Sequence, residues 1–295
     1  VGHAADLPWA ARVLRGGEDF VEVVEVQFLA ALFCFHKMQP PRRRRKRLGI
    51  QHDGNHILPM KQTGLSPWRA LKRRILGVLR QLAIGYVALV LLVAGCQNRM
   101  LYHPRVSPEP ALLREAEALG IQPWRDGAGR LIGWRQPNSA ARARLLCFHG
   151  NAGAALDRRG YLQTFNALGD GRSWETLVLE YPGYGARPGP LGREAFLMAG
   201  RAAIAELRHG DQRPLYLCGE SIGSGTAAAL VGEFPDAVAG VLFVVPFARL
   251  VEVANEKMPW LPVRLILRDH FDNVAALAKF RGPVAFVIAC NDEVV

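Results

Sequence analysis

The sequence is poor in the residues that build metal and redox centres. Its five cysteines, Cys34, Cys96, Cys147, Cys218 and Cys290, form no C-x-x-C pair and have no histidine-rich neighbourhood at metal-ligand spacing. That argues against a zinc ribbon or finger, and the three cysteines that sit inside apolar strand-like runs are expected to behave as small buried apolar side chains. No motif calls for a metal or an organic cofactor. Acidic residues are missing from one place in particular: residues 60–105 carry eight Lys/Arg and no Asp/Glu, while 1–59 carry nine against six and 106–295 twenty against twenty. The formal charge of +11 therefore sits toward the N-terminus, and the part expected to fold is electrically balanced. A membrane explains such a distribution better than a nucleic acid does. With 295 residues, half of them apolar, the chain can bury one large core with segments to spare.

Residues 1–59 mix a short apolar patch, the block RRRRKR at 42–47 and a polar stretch without sustained periodicity. They read as a leader upstream of the functional start rather than as a domain, with the basic block a solvated charge run. Met60 opens a pattern that is complete by itself. A basic region (Lys61, Arg69, Lys72, Arg73, Arg74) precedes an apolar run at 75–95, interrupted only by Arg80 and Gln81 and followed by Cys96. Counted from Ile75 the run reaches about 30 Å as a helix, enough to span a bilayer; counted from Leu82 it has the length of a signal-peptide core. Both versions hold the basic cluster in the cytosol and send the rest of the chain to the far side. Leu92-Val93-Ala94-Gly95-Cys96 resembles the lipobox of bacterial lipoproteins, which implies cleavage before Cys96, its lipidation, and a periplasmic or outer-membrane location. The alternative is an uncleaved helix in which Cys96 is incidental. Residues 60–105 are thus expected to be a signal peptide or transmembrane anchor plus linker.

From 106 to 295 short apolar runs alternate with helix-like stretches. The runs at 144–148, 176–179, 215–218, 241–245 and 284–289 read as buried strands, and the stretches near 153–169, 192–209 and 222–234 as helices. Each crossover is long enough for a βαβ unit, so an α/β, doubly wound, mostly parallel sheet is expected.

Two turns at strand ends carry chemistry. Gly219-Glu220-Ser221-Ile222-Gly223 is a G-x-S-x-G between a strand and a small-residue helix start. Such a turn needs glycines two residues either side of the serine so that the backbone packs closely while Ser221 stands out at the top of the sheet. The helix behind it favours developing negative charge. His149-Gly150-Asn151-Ala152-Gly153 follows the strand at 144–148 and offers a backbone N–H for an oxyanion. Asn151 and Ile222 are the expected donors, with Ala152 as the substitute for the first. His149 reads as a loop-ordering residue rather than as a base. Residues 246–282 form a short cap containing Trp260, Leu261, Leu265, Ile266 and Leu267 among Arg264, Arg268 and Asp269, which suggests an open site.

HGNAG, Tyr181-Pro182-Gly183-Tyr184-Gly185, GESIG and Asn291-Asp292-Glu293-Val294-Val295, in that order, resemble the alpha/beta-hydrolase subfamily that contains serine aminopeptidase-like enzymes and membrane-tethered depalmitoylating hydrolases. The resemblance covers residues 100–295. It implies a serine nucleophile, an ester, thioester or amide substrate, Asp292 as the acid of a triad, and His149, Gly150, Gly219, Glu220, Gly223 and Tyr184 as supports of the site. The base histidine should follow Asp292, and none does within the 295 residues. The expectation is therefore a C-terminally truncated chain or, failing that, a noncatalytic relative of the same fold. The order Ser, Asp, His disfavours His149, His209 and His270 as substitutes. An aminopeptidase would need acidic cap residues to hold the substrate amine, for which Glu252 and Glu256 are the candidates.

Overall fold

The computed structural model describes residues 67–167 and 174–288. Asp292, Cys34, Cys290 and the basic block at 42–47 lie outside the described residues. The first described element is one helix, α1 (Pro67–Leu101), and the chain divides within it into two units, 25–88 and a second that includes 89–295. The described part of the first unit is the helical stretch 67–88. Over 68–101 the helix is long and apolar enough to cross a membrane, with a mean hydropathy of 2.1. At 1.5 Å per residue it runs roughly 50 Å.

In the larger unit a seven-stranded sheet is built from β1 (Gln122–Arg125), β2 (Leu131–Gln136), β3 (Ala143–Phe148), β4 (Trp174–Leu179), β5 (Leu215–Glu220), β6 (Gly240–Val244) and β7 (Val284–Val287). Their order across the sheet is β1-β2-β4-β3-β5-β6-β7. The β1–β2 and β2–β4 pairs are antiparallel and every other pair is parallel. The parallel strands at 143–148, 174–179, 215–220, 240–244 and 284–287 are those the apolar runs predicted. The β1–β2 hairpin and the helix α2 (Glu109–Ala118) before it are additions the sequence reading did not make.

Side-chain alternation sends the central strands to two cores. Leu146 and Phe148 of β3 join Leu215 and Leu217 of β5, where they meet α4 (Arg193–Arg208) and α5 (Ile222–Glu233). Leu145 and Cys147 face the other way with Cys218, packing against Leu112 and Ala116 of α2 and Leu162 of α3 (Arg159–Ala167). Burial on both faces is why these strands are continuous apolar runs rather than alternating ones. α4 has the opposite pattern. Phe196, Leu197, Ala199, Gly200, Ala203, Ile204 and Leu207 form its buried stripe, with Glu194 in the first turn and Arg208 in the last to complement its dipole. Gly200 allows α4 to rest on α5, since a Cβ there would lie 2.4 Å from the Leu230 side chain.

Residues 97–105, expected as a linker, are part of this unit. Tyr102 is buried, its hydroxyl donates to Asp269 Oδ2 at 2.5 Å, and His103 and Pro104 pair in parallel with Ala152 and Gly153. Burial and the Asp269 carboxylate together push the Tyr102 phenol well above its usual range. The cap is three short helices, α6 (Leu250–Lys257), α7 (Val263–Ile266) and α8 (Asn273–Leu277).

Candidate active site

The centre of the sheet sets the place of the site. β3 and β5 are neighbours, yet the helices that follow them pack on opposite faces, which opens a crevice beyond their C-terminal ends. Both motif turns lie there. Ser221 links β5 to α5 with φ +50° and ψ −117°, a conformation that costs an L-residue roughly 1–2 kcal/mol and clusters at functional turns. The surroundings impose it. The Ser221 N–H donates to Val244 O at 2.9 Å, and the Ser224 N–H donates back to Ser221 O at 2.9 Å.

The flanking glycines are required by space. A Cβ on Gly219 would stand 2.6 Å from the Gly223 carbonyl oxygen and 2.6 Å from the Ser224 Cα. One on Gly223 would stand 2.2 Å from Phe148 O and 2.7 Å from His149 O. The second pair of distances shows that α5 begins against the end of β3, so the serine turn and the HGNAG turn touch through Gly223. Ile222 is the first helical residue of α5, a position whose N–H has no intrahelical acceptor. Val245 is a second strained residue, at φ +44°, directly after the carbonyl that receives the Ser221 N–H.

The HGNAG turn is held from three sides. His149 is 1% exposed. Its Nδ1 donates to Gly150 O at 2.7 Å, since a carbonyl only accepts, and its Nε2 lies 3.4 Å from Glu180 Oε1. The Tyr181 and Tyr184 rings close around it, with centroids 4.5 and 5.1 Å away. This ring is occupied with ordering the turn. Tyr184 also reaches Asn151, donating to its backbone oxygen at 2.8 Å, and burial raises the Tyr184 phenol above its ordinary value. The Asn151 side chain donates to the Leu101 carbonyl and accepts from the His103 N–H at 3.2 Å, so the end of α1 fixes the turn.

Arg158 is a site residue that the sequence reading missed. It lies in the single 3-10 turn after HGNAG (Ala155–Arg158) and places Nη2 2.9 Å from Glu220 Oε1 and Nε 2.9 Å from Oε2. Burial works against its charge, but the Glu220 carboxylate outweighs that and holds the guanidinium above its usual value. Gly150 fits between these partners, since a Cβ there would be 2.6 Å from Glu220 Oε1. Glu180 was missed too. It is buried and accepts the Ala155 N–H at 3.0 Å. His103, also passed over, brings its ring Nδ1 to 3.3 Å from Asn151 Nδ2.

The other candidates lie elsewhere. His209 caps the C-terminal end of α4, and His270 lines a cleft of about 400 Å³ along α5 and α8 together with Arg193, Phe271 and Lys279. Glu252 is paired with Arg249 at 2.8 Å, and Glu256 is exposed on the same helix. Cys96 is exposed.

The comparisons with known proteins agree with this architecture. The family described as alpha/beta hydrolase fold matches residues 143–281, which contain both turns. An uncharacterized protein of Mycobacterium tuberculosis is 30% identical over 236 residues, covering 77% of this chain and 81% of that one. The chain belongs to the alpha/beta hydrolase fold family. The hydrolase-fold chain is also 23% identical to the Arabidopsis thaliana alpha/beta hydrolase domain-containing protein WAV2, over 51% of its own length and 53% of WAV2. Among solved structures it is similar to a Pyrococcus furiosus esterase, with 14% identity, a TM-score of 0.45, and coverage of 62% of this chain and 75% of that one. It spans about half the length of several other solved chains that it matches.

Proposed function

We propose that the protein is a membrane-anchored serine hydrolase that cleaves an ester, thioester or amide through an acyl-enzyme on Ser221. The observation that carries this reading is the strained Ser221 turn, pinned by Val244 and packed through Gly223 onto the HGNAG turn. Strain of that kind persists where the surroundings over-determine it, and here it lifts a hydroxyl out of the sheet. In the first step the Ser221 Oγ attacks the substrate carbonyl carbon while a histidine takes the hydroxyl proton. The negative charge that forms on the carbonyl oxygen is met by the N–H groups of Ile222 and Asn151. The tetrahedral species collapses, the leaving group departs with the proton returned by the histidine, and water repeats the sequence on the acyl-serine. Asp292 orients that histidine, which in the chain order of this fold lies C-terminal to the acid. The Arg158–Glu220 pair, His149, Gly150 and Tyr184 position the two turns. No cofactor takes part.

α1 is the anchor, with the basic cluster at 61–74 on the cytosolic side and the hydrolase unit on the far side. The anchor is either an uncleaved helix or a lipoprotein processed before Cys96; α1 runs through Cys96 to Leu101 in the unprocessed chain.

The test is labelling of the full-length protein with a fluorophosphonate probe. Labelling that disappears in Ser221→Ala supports an activated nucleophile. A folded protein that fails to label is a noncatalytic binding module, and the reading falls.

A further inference from the structure

The last turn of α1 is bonded to the cap through side chains. Gln97 is buried, and its Nε2 donates to Ile266 O at 3.1 Å while its Oε1 accepts the Arg268 N–H at 2.8 Å. Asn98 Nδ2 donates to Leu191 O at 2.9 Å, and Tyr102 holds Asp269. Three of these bonds, two from Gln97 and one from Tyr102, leave segment 266–269 little freedom to move away from the helix end. One to two turns earlier, in the same unit, Leu91 and Leu92 are exposed.

The cap segment between α6 and this attachment is also apolar on its outside. Trp260 is 55% exposed and Leu265 85% exposed. A single exposed Leu needs no explanation, but these two sit within a few residues of the helix attachment and among cationic side chains. Lys257, Arg264 and Arg268 are exposed there. Of the acids of the cap, Asp269 is held by Tyr102, Glu252 and Asp272 pair with Arg249, and Glu256 is exposed on α6. An aromatic ring, an aliphatic side chain and a cluster of Lys/Arg beside an apolar helix end make the composition of a membrane-interface contact.

We propose that the cap around Trp260 and Leu265 rests on the bilayer surface, its apolar side chains entering the interfacial layer and Arg264 and Arg268 facing anionic lipid headgroups. This rests on the reading of α1 as a membrane span. The same turn of α1 presents the Leu101 carbonyl to Asn151, so the cap and the oxyanion turn are both fixed at the place where the chain leaves the membrane. The unit therefore has two lipid contacts, and the second one sets its orientation.

The experiment uses the full-length protein in vesicles of phosphatidylcholine and phosphatidylglycerol whose acyl chains carry bromine, a contact quencher of tryptophan. The emission lost in Trp260→Phe isolates Trp260 from the other five tryptophans. That component should be quenched about twofold relative to unbrominated vesicles, and Leu265→Glu combined with Arg264→Glu should abolish the quenching without loss of far-ultraviolet ellipticity. Protein that resists alkaline carbonate extraction but whose Trp260 component is unquenched overturns the cap contact and leaves the anchor reading standing. Protein that carbonate extracts from the vesicles overturns both.

Discussion

Arg158 sets two guanidinium nitrogens on the Glu220 carboxylate, one residue before Ser221, and so joins the turn after β3 to the turn after β5. Each turn carries one of the proposed oxyanion donors, and this pair, with the Gly223 contact, is one of the links that hold the two turns together. Arg158→Ala should cost about 2 kcal/mol of stability, because it leaves a partly buried carboxylate unpaired. It should also slow fluorophosphonate labelling of Ser221 by about tenfold through misplaced donors. Arg158→Lys should recover the stability better than the labelling rate, since an ammonium cannot reproduce a bidentate fork. Chemical denaturation and labelling kinetics on the same samples separate the two effects.

Ser221 pays for its position in backbone strain. Replacing it with glycine, which enters the positive-φ region freely, should raise stability by about 1 kcal/mol, whereas Ser221→Ala keeps the strain and should leave stability close to that of the parent. Both variants should lose labelling. Thermal melts of the three proteins check the ordering, and a glycine variant less stable than the alanine one would contradict it.

Gly223 has the opposite response. A methyl group there meets two carbonyl oxygens of the neighbouring strand end at 2.2 and 2.7 Å, and both belong to backbone that cannot turn aside. Gly223→Ala should destabilise by about 3 kcal/mol or more. By contrast, an alanine at Gly160, whose Cβ would meet nothing within 4 Å, should be tolerated. The yield of folded protein from the two variants is the readout.

Much of this site was legible because the information is local. The G-x-S-x-G turn and its strand and helix lie in about twenty consecutive residues, and β3 to β6 announce themselves as apolar runs because both their faces are covered, whereas β7 is an equally apolar run with Val284 and Phe286 exposed. The β1–β2 hairpin was not legible in the same way. Arg125, Arg135 and Gln136 break its apolar pattern, and the turn cue Asp126-Gly127 stands alone. Arg158 and Glu220 are 62 positions apart, and His103 and Asn151 are 48 apart. Nothing in either neighbourhood announces the other partner. Val245 was invisible for another reason, since a β-branched residue is the least expected occupant of positive φ.

The opposite end of the sheet carries the pH dependence. Arg144 and Arg213, at the starts of β3 and β5, share the carboxylates of Glu175 and Asp211, with distances from 2.7 to 3.0 Å. The Arg213 side chain, then its backbone N–H and the Arg144 charge, lower the Asp211 pKa from 3.8 to about 2. A carboxyl whose folded value is depressed contributes stability that is fully present above its unfolded value and is lost as pH falls through the folded one. Asp211 should therefore stabilise the fold at neutral pH and lose that contribution between pH 3.8 and about 2. Asp211→Asn should be less stable than the parent at pH 7, and the gap should close as pH falls through that window. Because the network lies at the N-terminal ends of the strands, away from Ser221, labelling at pH 7 should be unaffected in the folded fraction. A gap that stays constant down to pH 2 would show that Asp211 acts through hydrogen-bond geometry alone and that its charge contributes nothing.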